Sequence, residues 1–167
     1  MFSTDERDQR HSATVPAGLV LAPIRRRALG AVIDQILVLL PVALGAVIYG
    51  FRPGDTLTDN GLLALNLATA GVALIYDSLM IGLVGRTVGK FVTGTRVVRL
   101  ADGGVVGWYS AVQRALVPVV FSAVPTAGWL LGAIVYAFAF LGPLRQGLHD
   151  RAAGTLVVLN AARPTPA

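Results

Sequence analysis

The sequence predicts an all-α membrane protein. About four transmembrane helices are expected, the third and fourth forming a short hairpin, together with a small cytoplasmic β-hairpin. Three observations carry this. The 167 residues are 54% hydrophobic and only 14% charged, with a mean hydropathy of +0.68. Soluble domains carry about 25% charged residues, so this chain has too few charges to cover a water-facing surface. Its apolar residues fall in runs of membrane-spanning length, and its arginines gather just outside those runs.

The first run, residues 28–50, is apolar except for Asp34 and Gln35. As a helix it reaches about 33 Å, enough to cross a hydrocarbon core of about 30 Å. Pro41 is tolerable there, because transmembrane helices accept proline kinks. Residues 51–61 read as a short turn-rich loop. The second run, residues 62–85, is interrupted by Asn66 and Asp77.

The polar stretch that follows holds Arg86, Lys90, Arg96 and Arg99. Within it, residues 93–108 (TGTRVVRLADGGVVGW) place β-branched residues around Asp102-Gly103, which reads as a hairpin. TLVVLN (155–160) is a second strand candidate able to pair with it.

Between these lies an apolar block, residues 108–144, punctuated by Pro118, Pro125 and Gly128. Basic residues at 25–27, at 86–99 and at Arg145 and Arg151 place all three regions on the cytoplasmic side. The block must then cross an even number of times. Two thin crossings, roughly 108–125 and 127–144, fit at about 27 Å each; a re-entrant hairpin is the alternative. The resulting organisation is a flexible cytoplasmic tail (1–23), a transmembrane domain (24–160) and a C-terminal tail (161–167), with both termini cytoplasmic. The polar first twenty residues do not read as a signal peptide, which makes the first run a retained anchor.

The net charge of +5 would suggest nucleic acid in a soluble protein. Here the flanking arginines point instead to anionic lipid headgroups at the cytoplasmic face. With no cysteine, and only His11 and His149 as imidazoles, the sequence offers no thiolate chemistry and no metal-ligand cluster. No cofactor is expected, and no nucleophile–base pair suggests an enzyme.

The chemistry-bearing residues are the charges inside the runs. Asp34, Asp77 and Arg114 fall about 9–12 Å from the cytoplasmic side. An unpaired charge at membrane depth costs at least about 2.5–3.5 kcal/mol, so Arg114 is expected between the two carboxylates, with Gln35 and Gln113 adding hydrogen bonds. The cluster reads either as an ion or proton relay or as a buried pair that fixes helix packing. GRTVGK (85–90) fails as a phosphate loop, since Val84 and Phe91 occupy its glycine and hydroxyl positions; it reads as a turn. GWLLG (128–132) matches a small-xxx-small helix contact. His149-Asp150 reads as structural.

RALGAVID (27–34), GRTVGKFVTGTRVV (85–98), Arg114 and RQGLHDRAAGT (145–155), in that order, resemble the RDD family of bacterial membrane proteins. The likeness covers residues 25–158. Arg27 and Asp34 match its first arginine–aspartate pair, and Asp150 matches an aspartate at the end of its last helix. Gly89, Lys90 and Arg114 belong to the matching segments. Gly30 departs from the family's usual alanine, and Asp77 lies outside the pattern. The resemblance implies an inner-membrane protein with a transport-related role, monovalent cation or proton exchange; because 167 residues are few for alternating access, that role would require a homo-oligomer. The alternative is a non-catalytic accessory subunit of a larger membrane complex.

Overall fold

A computed structural model describes residues 15–52, 54–122, 124 and 127–160. Two long helices form its frame: α1 (Ile24–Ile48) and α2 (Asp59–Val84). Both are long and apolar enough to cross a membrane, and only 11% of each one's most apolar stretch is buried inside the chain. A core helix of a water-soluble protein would be mostly covered. Here Val32, Ile36, Leu40, Leu44 and Ile48 lie exposed along α1, a face suited to lipid.

α2 begins at the Thr58 cap, whose hydroxyl accepts from Gly61 N–H at 3.2 Å. It ends at Gly85, whose φ of +73° is the left-handed conformation that glycine adopts without penalty. The chain then makes a short helix α3 (Val88–Val92), capped by Thr87, and strand β1 (Thr95–Arg99).

The expected cytoplasmic β-hairpin is not formed. Asp102-Gly103 does make a tight turn, with Gly103 N–H bonding Arg99 O at 2.9 Å, but no returning strand follows it. β1 pairs antiparallel with β2 (Thr155–Leu159), from Thr95↔Leu159 to Arg99↔Thr155. The other edge of β2 takes the segment before α1 through the Leu21↔Val158 bridge, with Ala22 N–H bonding Val157 O at 3.0 Å. β2 thereby has both of its edges paired, whereas a local 95–108 hairpin would leave its backbone groups without β1 as a partner. Residues 19–22, within the stretch 1–23 expected as a flexible tail, are held against the sheet by these contacts. Residues 1–14 and 161–167 lie outside the described residues.

Val98, Leu156 and Val158 form the sheet's core, with Leu19, Leu21, Leu100 and Leu144 against it. On the other side Val97 joins Ile81, Val106 and Ala111, which fixes the sheet to the end of α2.

The apolar block becomes α4 (Trp108–Ser122), α5 (Gly128–Ala137) and a 3-10 turn (Phe138–Phe140). These are shorter than the 108–125 and 127–144 expected, and neither alone reaches the length of α1 or α2. Helix α6 (Leu148–Ala152) follows and leads into β2. α4 packs mainly on α2, and α5 packs on α4. Gly128 and Gly132 are both buried, so the small-residue face of α5 is used inside the chain.

Candidate functional site

Two buried carboxylates organise the end of the bundle that carries the sheet, and a third faces a cavity. Asp34, on α1, is 8% exposed. Its Oδ1 accepts from Tyr76 Oη at 2.8 Å and Gly89 N–H at 2.7 Å. Its Oδ2 accepts from Thr87 Oγ1 at 2.5 Å and lies 3.5 Å from Lys90 Nζ. Four donors around one carboxylate compensate the loss of water.

The amide reaches Asp34 because α1 and α3 meet glycine to glycine. A Cβ on Gly89 would collide with Gly30 O and come within 2.9 Å of Asp34 Cγ, and one on Gly30 would lie 3.2 Å from Gly89 O. GRTVGK is thus a carboxylate-gripping turn. Its threonine, glycine and lysine each contact Asp34, and Tyr76 holds the turn by accepting from Val88 N–H at 3.0 Å. Burial pushes the Lys90 ammonium below its ordinary pKa, and Arg114 adds to the shift.

Asp150, at the start of α6, is fully buried. Arg114 donates to its Oδ1 from Nε at 2.9 Å, with Nη2 also at 2.9 Å. Arg27 Nη2 donates to Oδ2 at 2.5 Å, and the same guanidinium donates to Arg145 O. Gly147 N–H donates at 3.1 Å. Burial alone would raise this carboxyl, but its charged and donating neighbours, Arg114, Arg27 and Gly147 N–H among them, outweigh that and hold it well below the usual carboxylate range.

Arg114 therefore does not sit between Asp34 and Asp77. The guanidinium goes to Asp150, which offers two oxygens to two arginines, whereas Asp34 is already satisfied by local donors. The hydrogen bonds expected of Gln35 and Gln113 are made by Tyr76, Thr87 and Thr155. Tyr76 and Thr87 escaped the sequence reading; the available signal was Thr87 standing as a cap before a glycine-containing turn. His149 is 2% exposed, and its Nδ1 has no partner among the described residues. Burial lowers its pKa to about 3, so it is neutral at physiological pH.

Asp34, Asp77, Lys90, Arg114 and His149, from five different elements, line one cavity of about 150 Å³. Asp77 is partly buried and makes no hydrogen bond or ion pair with any described residue. With Arg27 and Asp150 behind the wall, three cations face three carboxylates. Among the described residues no three His, Cys, Asp or Glu side chains gather as a metal site.

Arg27, Asp34, Gly89, Lys90, Arg114 and Asp150 thus resolve into two carboxylate grips. The pattern of the RDD family matches residues 21–154. The chain belongs to the RDD family. It is also 34% identical over 95 residues, 57% of its own length, to "Uncharacterized membrane protein YteJ" of Bacillus subtilis (strain 168). The chain spans about half, 53%, of that relative's length. No solved structure matches the chain significantly. Family membership and the two apolar helices make this RDD protein a membrane protein.

Proposed function

We propose that this RDD protein is a non-enzymatic inner-membrane protein that exchanges a monovalent cation for protons through the cavity between α1, α2 and α4. One observation carries the reading. Ionisable side chains of both signs converge on a single cavity among helices whose outer faces are apolar. Charges at membrane depth are costly and usually mark ion or proton pathways. The volume holds several waters at about 30 Å³ each, enough for a partly hydrated small cation.

Both termini and the 86–107 segment face the cytoplasm in this reading, with the exposed Arg25 and Arg26 against anionic headgroups. One chain is small for two gates, so the working unit is a homo-oligomer. The alternative, an accessory subunit docked through the α5 glycines, has less support, since Gly128 and Gly132 are already covered within the chain.

The test is purified protein in liposomes with an internal pH dye, challenged with sodium or potassium gradients. Exchange predicts a dye response. Silence, with a larger membrane protein copurifying from native membranes in mild detergent, would replace it with the accessory reading.

A further inference from the structure

The two grips account for Asp34 and Asp150 but leave Asp77. From the geometry we infer that Asp77, rather than Asp34, is the exchanging carboxylate, binding a proton or a small monovalent cation in competition. This rests on the proposed exchange function and names the group that performs it.

An exchanging carboxylate must be able to give up one ligand and take another. Asp34 cannot do so cheaply. Both its oxygens are occupied by donors on α2 and around α3, and releasing them would undo the α1–α3 contact. Asp150 is closed off in the same way, fully buried between two arginines. Asp77 has no partner among the described residues and lines the cavity.

The approach is also built on α2. Asn66, Thr69, Ala70, Ala73 and Asp77 all line the cavity, recurring at i, i+3, i+4, i+7 and i+11 along one helix face. They form a polar and small-residue track about 16 Å long. In the proposed orientation it leads from the outer half of the membrane to Asp77.

The surroundings favour a single positive charge. Facing Asp77 across the cavity are Asp34 from α1, Lys90 from α3, Arg114 from α4, Tyr136 from α5 and His149 from α6. Asp34 is engaged by Lys90 and Arg114 by Asp150, so one carboxylate remains uncommitted. A divalent ion such as calcium takes about 6–8 oxygen ligands, far more than this wall supplies beside two fixed cations. A proton or a monovalent ion adds one positive charge against one uncommitted carboxylate, where a divalent ion would add two beside Lys90 and Arg114.

The test uses the full-length wild-type protein in detergent and dicyclohexylcarbodiimide, which reacts with protonated carboxyls in apolar surroundings. The modified residue is read by peptide mass. Labelling should fall on Asp77 and not on Asp34, decline as pH rises, and be lost in sodium chloride relative to choline chloride at equal ionic strength. Labelling of Asp34 instead, or labelling of Asp77 indifferent to sodium and potassium, would overturn the assignment. Cation-protected Asp77 in a protein whose liposomes stay silent would keep the site and remove the exchange function. Liposome exchange that persists in Asp77→Asn would keep the function and remove the site.

Discussion

Arg114 and Asp150, 36 residues apart in sequence, meet through two guanidinium nitrogens that approach the same oxygen, Oδ1, at 2.9 Å. Arg27 occupies the other oxygen. This carboxylate thereby joins the start of α1, the first half of α4 and α6.

Asp150→Asn leaves the buried Arg114 without its carboxylate and should destabilise the protein by about 3–5 kcal/mol, and Arg114→Gln should cost less, because Arg27 still holds Asp150. The double variant should melt in detergent well above what the sum of the two losses gives. Strict additivity would mean the pair does not interact. Asp34→Asn combined with Arg114→Gln should be closer to additive, because these two side chains have separate partners.

Gly89→Ala adds a methyl where Gly30 O and Asp34 already sit. Either α3 shifts away and Asp34 loses the amide, or α1 is displaced. A loss of at least about 2 kcal/mol is expected from overpacking together with the lost donor, seen as a lower melting temperature and reduced accumulation in the membrane. A variant as stable as wild type would mean the glycine contact is not needed.

His149 sets a pH dependence of stability. Its pKa falls from 6.5 unfolded to about 3 folded, so the unfolded chain binds the extra proton between those values. Its contribution is complete above about pH 6.5 and is lost as pH falls towards 3, on the order of a few kcal/mol. Asp150 adds its own loss at lower pH, since its folded pKa is depressed too. Melting in detergent from pH 7 to 4 should show the decline in wild type, and His149→Gln should flatten it. A flat wild-type profile would show that His149 is protonated or exposed when folded.

The two long spans were legible because their length and apolar content need nothing beyond local sequence. The motifs were legible as segments, but their contacts were not. Depth along a helix brings Asp34, Asp77 and Arg114 to one cavity, as they are, yet it does not say which charge takes which partner. That was decided by α3 and α6, five-residue helices too short to show periodicity. The sheet was legible in part: TLVVLN does pair with the strand at 95–99, as expected, but the local hairpin does not form. The Asp102-Gly103 turn is a strong local signal, whereas pairing of β1 with β2 depends on α4, α5 and α6 returning the chain to the same face.

The measurement that bears most directly on cation–proton exchange at Asp77 is proton flux in liposomes holding equal amounts of folded wild type or Asp77→Asn, driven by a sodium or potassium gradient. Wild type should move protons against the cation gradient, and Asp77→Asn should be silent while melting no lower than wild type, since it breaks no ion pair. Equal flux from the two proteins, or none from wild type, would contradict it.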